Sequence, residues 1–392
     1  MNLKNFVSAA VRRAAITAAM VAGMMAATLT TPAADDTIKI GQYASMTGPE
    51  ATFGQSSDKG TRIAIDEANK AGGVLGKKLE LITYDTQGKS AEASNAVTRL
   101  INNDHVVALL GEVASSLSLA GGEIAQANGI PMITHASTNP KVTEGRDMVF
   151  RVCFIDPFQG YAVAKFATDN LKAKKIAVLY DQGQAYSVGL RKDFSRAIKK
   201  LGGTITTEQS YTGGDQDFSA QLTTIRESQP DAIFIPGYYT DVGNIALQVR
   251  KLGITVPLLG TDGWDSAKLK EIAGDALKDC YYSNHYTPED PRPELQEFIK
   301  KFKELNNGET PDAMAVLAYD GANVLIDAIK RANSTDPKAL AKAIGETKNF
   351  KGVTGTITLD AERNAKKPAV ILQMKDGQWK YAASIAPPSD EK

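Results

Sequence analysis

Apolar and polar positions along the chain switch between a period of about two residues and one of about 3.6, and the switches lay out strand–helix units. Ile38 to Ala44 predicts a strand. Gly54 to Ala71 predicts a helix, with Ile63, Ala64 and Glu67 on the boundary of its buried stripe, stopped by Gly72-Gly73. Leu79 to Tyr84 alternates as a strand, and Ala91 to Asn102 is an amphipathic helix. His105 to Gly111 is a short apolar run, Leu117 to Asn128 carries Leu, Ile and Ala at helical spacing up to Gly129, and Ile130 to Thr134 is apolar again. Val149 to Phe154 ends a first unit, and alternating strands and helices predict a doubly wound α/β layer.

A second unit follows Asp156-Pro157. Helix Phe158 to Leu171 leads to strand Ile176 to Tyr180, helix Gly189 to Leu201, strand Ile205 to Tyr211, helix Phe218 to Ser228, strand Ala232 to Pro236, helix Val242 to Leu252 and strand Pro257 to Gly260. Cys280 to His285 reads as extended. Helices Pro293 to Leu305, Pro311 to Ala332 and Pro337 to Thr347 lack the strands for a third sheet, so they are expected to return to the first lobe. Strands Gly355 to Leu359 and Ala369 to Met374 are expected on the second. The itinerary gives an N-terminal lobe of residues 35–155 plus 285–354 and a C-terminal lobe of 156–284 plus 355–392. The chain crosses between them near 153–157, 280–286 and 351–357. Three parallel connections make a hinge, and a hinge between lobes makes a closing cleft.

In a parallel sheet, ligands sit at the carboxyl ends of the strands. Two such ends here turn small and hydroxyl-rich: Ala114-Ser115-Ser116, then Ala136-Ser137-Thr138-Asn139. The first opens a helix, where free N–H groups and the dipole favour an anion, so a carboxylate is the natural guest. Either turn alone is explained by helix capping; two in successive units shift the balance towards a site. In the second unit, Tyr186, Tyr238 and Asp262 follow successive strand ends. Asp262 would face the carboxylate-seeking turns, so a ligand carrying an ammonium and a carboxylate on one carbon would bridge the walls. Helix capping by Asp262 and core packing of the tyrosines remain the alternatives.

Composition narrows the classes. Lys plus Arg and Asp plus Glu number 45 each, so no net field argues for nucleic acid. Lys4, Arg12 and Arg13, the apolar run Ala14 to Leu29 and Thr31-Pro32-Ala33-Ala34 predict a signal peptide over residues 1–34. The run is shorter than the roughly 20 residues that span a bilayer. The mature protein is expected to be exported. No metal-ligand spacing joins His105, His135 and His285, and neither metal nor cofactor is expected. An exported hydrolase using Ser115 and His135 is the enzymatic alternative. Cys153 and Cys280 fall at expected crossings, where a disulfide stapling the hinge and two buried thiols are both open.

These residues together resemble a known family over essentially the whole mature chain. Ile38-Lys39-Ile40-Gly41, Met46-Thr47-Gly48-Pro49, Gly72-Gly73-Val74, Ala114-Ser115-Ser116, Ala136-Ser137-Thr138-Asn139-Pro140, Gly214-Asp215, Asp217-Phe218-Ser219 and Gly237-Tyr238-Tyr239 carry the likeness. The sequence is similar to type I periplasmic solute-binding proteins of ABC importers, the leucine/isoleucine/valine-binding group. The resemblance implies a Venus-flytrap fold, a monomer, no catalysis, no cofactor, and delivery of an amino acid to permease subunits in the inner membrane. It implies that Ser115 and Thr138 hold the carboxylate, and that the Ala136 carbonyl, Thr138 and Asp262 take the ammonium. Ser137, in the same turn, is expected to bind the ligand with them, Phe53 walls the side-chain pocket, and Tyr186 and Tyr238 close over the ligand. Known members carry Glu at the position of Asp262 and a disulfide in the first lobe, where Ala114 replaces one cysteine. An amide, a polar or an aromatic amino acid, or a sensory role, are the alternatives within the same fold.

Overall fold

A computed structural model describes residues 37–388; the signal-peptide expectation for residues 1–34 lies outside them. Strands β1 (Thr37–Ala44), β2 (Lys78–Asp85), β3 (Ala108–Gly111), β4 (Met132–Thr134) and β5 (Val149–Arg151) form one sheet in the order β2-β1-β3-β4-β5, parallel throughout. Helices α1 (Ala51–Lys70), α2 (Ser90–Asn102) and α3 (Ser115–Asn128) connect them. The order reverses direction between β1 and β3. The helices that follow those two strands leave to opposite faces and open a crevice at the carboxyl ends. Phe53 on α1 and Ser115 on α3 flank it.

The second lobe repeats the device. Its strands are β6 (Lys175–Asp181), β7 (Thr204–Tyr211), β8 (Ala232–Phe234), β9 (Leu258–Gly260) and β10 (Cys280–Asn284), joined by α4 (Asp156–Asp169) before β6, then α5 (Ala185–Lys200), α6 (Ser219–Glu227), α7 (Tyr239–Lys251) and α8 (Ala267–Ala273). The parallel part runs β10-β9-β8-β6-β7, the topology of lobe one with its own reversal between β6 and β8. Tyr186 at the start of α5 and Tyr238 before α7 flank that reversal. Two α/β lobes with matching switch points therefore build one cleft.

Helices α9 (Pro293–Leu305), α10 (Ala313–Ala332) and α11 (Pro337–Gly345) follow: α10 and α11 enter the core of lobe one, and Lys301 of α9 pairs with Glu67 of α1. Asp312 caps α10, its Oδ1 accepting the Ala315 N–H at 3.0 Å, so the helix begins two residues after Pro311. α10 lies along α1, and a Cβ on Gly60 would collide with the Ala315 carbonyl oxygen. Gly60→Ala is therefore expected to lower the calorimetric unfolding midpoint by several degrees, about 1–3 kcal/mol of overpacking.

The structure departs from the sequence reading at the third crossing, adds one strand, and decides between the two readings of the cysteines. Strand β12 (Gly355–Ile357) pairs only with β11 (Phe350–Gly352), and Ile357, Leu359 and Ala365 pack into the core of lobe one. The Arg151 N–H donates to the Arg363 carbonyl, so the chain stays with lobe one to about residue 365 and the third crossing comes after it. The strand β14 (Gln378–Ile385), unseen in the sequence, extends the lobe-two sheet antiparallel to β13 (Ala369–Lys375). Cys153 and Cys280 do not pair: both are buried free thiols. Cys280 opens β10, a strand's length from the crossing that follows that strand, and contacts the Ala276 and Lys278 carbonyls, while Cys153 donates to the Ser137 carbonyl at 3.5 Å. Burial pushes both thiols up to about 12.

At the hinge, the buried Lys367 ammonium donates to the Val152 carbonyl at 3.3 Å and to the Thr354 hydroxyl. Thr354 is in turn held by Asp320 of α10, which also accepts the Val353 and Thr354 N–H groups. Among the described residues no helix is long and apolar enough to cross a membrane.

Candidate functional site

The two hydroxyl-rich turns are built on two buried side chains, Glu112 and Arg151, that sequence reasoning passed over. Glu112, which directly follows β3, is buried. Its Oε1 accepts the Ser45 and Thr86 hydroxyls at 2.5 and 2.7 Å, and its Oε2 accepts the Val113 and Ala114 N–H groups at 2.7 and 3.4 Å. Burial raises its pKa against those bonds. Arg151, fully buried on β5, grips the second turn: Nη1 donates to the Ser137 carbonyl at 2.6 Å, and Nη2 to the Asn139 carbonyl at 2.8 Å and the Thr143 hydroxyl at 3.2 Å. All of these hydrogen-bond partners are neutral; the carboxyls that act on the guanidinium charge are those of Asp156, whose N–H donates to the Thr138 carbonyl at 2.9 Å, and Asp360.

Ser137 differs from expectation. Its hydroxyl points into the first turn, at 3.0 Å from the Glu112 carbonyl, 2.8 Å from that of Val113 and 2.7 Å from the Ser118 hydroxyl. It ties the turns together instead of facing the cleft. Ser115 is buried at the start of α3 and accepts the Asn139 N–H at 3.3 Å. The N-cap of α3 is Ala114, which offers the first-turn N–H groups no side-chain acceptor. The Thr138 hydroxyl, in a residue 1 % exposed, has no hydrogen-bond partner among the described residues.

On the opposite wall, Asp262 is 2 % exposed. Its Oδ1 accepts Gln159 Nε2 and the Tyr186 hydroxyl, both at 2.7 Å, and its Oδ2 lies 3.0 Å from His285 Nε2. Burial holds His285 below the ordinary histidine range despite the opposing pull of Asp262, so the ring is neutral and donates. None of the three partners supplies a positive charge. The Tyr186 hydroxyl also lies 2.6 Å from Thr261 Oγ1 and accepts the Gly263 N–H at 3.0 Å. A Cβ on Gly263 would crowd that oxygen and the Tyr238 ring.

Tyr186 and Tyr238 stack at 5.1 Å, and Phe53 meets Tyr238 edge-on at 5.8 Å. The Tyr238 hydroxyl, like that of Thr138, is buried without a partner among the described residues. Val113, Ala136, Tyr186, Tyr238, Asp262, Gly263 and Met314 enclose one small cavity of about 10 Å³, the room of a single water. The structure thus gathers Ala136, Tyr186, Tyr238 and Asp262 around one space, with Phe53 packed against Tyr238 outside that lining and Ser115 and Thr138 buried in the adjoining turns.

The lobes are closed on this cavity. Ser116 Oγ donates to Gln184 Oε1 and accepts the Ala185 N–H, each at 3.1 Å, and Asn139 Nδ2 donates to the Ala185 carbonyl at 2.8 Å. Thr52 Oγ1 lies 2.9 Å from Ser266 Oγ, and the Thr52 N–H donates to the Tyr239 hydroxyl at 3.2 Å. Ser116 therefore serves closure.

The hydrolase alternative does not assemble. His135 Nε2 is 2.8 Å from the Ser57 hydroxyl, not Ser115, and burial lowers its pKa to about 4. Among the described residues no group of three or more His, Cys, Asp or Glu is placed to hold a metal ion.

Comparison with known proteins agrees with this architecture. Residues 37–378 match the family described as periplasmic binding protein. The Leu/Ile/Val-binding protein homolog 2 of Brucella abortus is 31% identical over 352 residues, covering 88% of this chain and 93% of that one. A leucine-binding protein from Thermotoga maritima superposes with a TM-score of 0.86 at 43% identity, over 89% of this chain and 99% of its own. A branched-chain amino acid binding protein from Streptococcus pneumoniae, solved with isoleucine, gives 0.84 at 32% identity, over 90% and 100%. The family binds and does not catalyse. The chain belongs to the type I periplasmic binding proteins, the family that includes the Leu/Ile/Val-binding proteins.

Proposed function

We propose that the cleft holds the zwitterionic head of an aliphatic α-amino acid, most favourably leucine, isoleucine or valine, and that the protein delivers it from the periplasm, as a monomer, to the permease of an ABC importer after loss of its signal peptide. One observation carries the reading: Asp262, buried in the lobe-two wall, is held by neutral donors alone. An ammonium at Asp262 and the Ala136 carbonyl would complete that charge, which burial demands. A carboxylate at the Ser115 and Thr138 turns would meet the uncapped first-turn N–H groups of α3. The side chain would then lie among Phe53, Val113, Tyr186, Tyr238 and Met314. A leucine is far larger than the present cavity, so it enters a parted cleft, and closing on it is where binding and conformational change are linked. The names of the relatives favour the same class of ligand.

A thermal-shift screen of the common amino acids and their amides, followed by titration calorimetry, tests this. Leucine, isoleucine and valine are expected to bind one to one. Tighter binding of an amide, a polar or an aromatic amino acid would reassign the pocket, and no binding of any α-amino acid would overturn it. Ser115→Ala is expected to weaken leucine binding about 10- to 100-fold, the loss of one hydrogen bond to a charged group.

A further inference from the structure

We propose that closing the cleft takes up protons, so that this receptor grips its ligand more tightly at mildly acidic than at alkaline pH. The proposal rests on the amino acid reading above for its main ligand probe. Two cross-cleft hydrogen bonds carry it. At the mouth, Thr240 Oγ1 of lobe two donates to the Pro49 carbonyl of lobe one at 2.7 Å, which sets Glu50 next to Asp241. Where α10 begins, the Ala313 N–H donates to Asp265 Oδ2 at 2.7 Å, which sets Asp312 of lobe one next to Asp265 of lobe two. Each contact brings together an acid from either lobe, and opening parts both pairs.

The groups around them do not neutralise the pairs. Asp241 Oδ1 accepts the Gly214 N–H at 3.1 Å, on the same loop where Asp181 accepts the Gly213 N–H at 3.3 Å and Asp215 the Thr212 N–H at 2.9 Å. Glu50 therefore faces several carboxylates, with Glu112 behind it and the Tyr211 and Tyr239 phenols close to Asp241 and Glu50. Asp265 accepts the Tyr282 hydroxyl and Asn284 Nδ2 at 2.8 and 2.9 Å, with neutral His285 and Tyr286 nearby. Asp312 accepts the Ser56 hydroxyl at 2.7 Å and the Ala315 N–H. Next along α1, Asp58 is paired with Arg62 at 2.6 Å, and Lys59 with Glu309, before α10, at 2.7 Å. All four acids of the two pairs keep part of their surface in solvent, so protons reach them.

The electrostatics point the same way. Burial, followed by Glu112 and Asp241, pushes Glu50 up to about 7. Asp241 is pushed up to about 6 by burial and then by Asp181 and Asp215 of its own lobe, so the cross-cleft share falls on Glu50 and Asp312. Burial and then Asp265 raise Asp312. A carboxyl whose pKa is higher in the closed form than in the open one gains protons on closing. Closure is then favoured as pH falls through the closed-form value, and the gain is complete only below the open-form value. The window runs from about pH 8 to about pH 5, where ordinary carboxyls begin to titrate.

Titration calorimetry with L-leucine, in buffers of different ionisation enthalpy, reads both quantities. Binding is expected to be about tenfold tighter at about pH 5.5 than at about pH 8, with net proton uptake between. The double variant Glu50→Gln/Asp312→Asn, which retains the α10 cap acceptor, is expected to bind at about pH 8 as tightly as the parent does at about pH 5.5, without proton uptake. A misfolded variant cannot imitate that gain. Equal affinity of the parent at both pH values, or uptake that persists in the variant, overturns the proposal. Should leucine bind at no pH, the ligand reading fails, and solution scattering of the protein alone decides. A radius of gyration that contracts on acidification in the parent and is already small at both pH values in the variant supports proton-linked closure; a radius independent of pH overturns it.

Discussion

Asp262→Asn is expected to weaken leucine binding by about 100- to 1,000-fold, the cost of about 3–4 kcal/mol for removing one partner of a buried charge pair. The asparagine keeps the shape of the side chain and one carbonyl acceptor, so the fold is expected to survive. What disappears is the negative charge. Gln159, Tyr186 and His285 orient the carboxylate without neutralising it, and no other side chain of the cavity lining carries charge. An ammonium entering the variant would lose its solvent and find a dipole. Titration calorimetry gives the affinity and thermal unfolding checks the fold. An affinity within threefold of the parent's, with an unchanged melting profile, would place the ammonium elsewhere.

The largest effect on stability is expected from Arg151→Met, about 3–5 kcal/mol by urea unfolding. Methionine fills a similar volume, so little of the loss comes from packing. It comes from the Ser137 and Asn139 carbonyls, which lose their charged donor and keep only Cys153 Sγ at 3.5 Å and the Val142 N–H at 3.1 Å. Lysine carries the charge but not the fork, and a single ammonium does not span both carbonyls as the guanidinium does. Arg151→Lys is therefore expected to recover only part of the stability and to leave leucine binding weaker than in the parent, because the Thr138 turn is no longer held from both sides. Unfolding free energies within about 1 kcal/mol of the parent for both variants would show that the turn holds itself.

Much of this architecture was legible in the sequence because strand–helix alternation states itself locally. The alternation lays out the two lobes and puts Tyr186, Tyr238 and Asp262 after strand ends, whereas Phe53 and the Ala136 carbonyl are named only by the family resemblance. What escaped depends on contacts distant in sequence. Arg151 reads as an ordinary strand-end arginine until the 137–140 turn is folded over it, and Gln159 reads as helix surface until Asp262, 103 residues away, meets it. His285 shows neither metal spacing nor an obvious partner. Ser137 looks like a ligand group by composition, but a hydroxyl between two strands finds backbone carbonyls first. The strand β14 was missed because QWKYAASI alternates weakly, with one face only half covered. The late third crossing was missed because Ile357 and Leu359 suit either lobe, and only packing decides.

The fastening at Lys367 has a mechanical outcome. On one side of the crossings, Val152 and Lys367 are locked to each other and, through Thr354, to α10. On the other side, Phe154 and Ala369 are embedded with Ala162, Phe158 and Ile385 in lobe two. Between these anchorages the first strand has only Cys153 to turn about and the last only Pro368, whose ring fixes φ. The swivel is confined to very few torsions, so the lobes can swing like a door on a short pin but have little freedom to slide or splay.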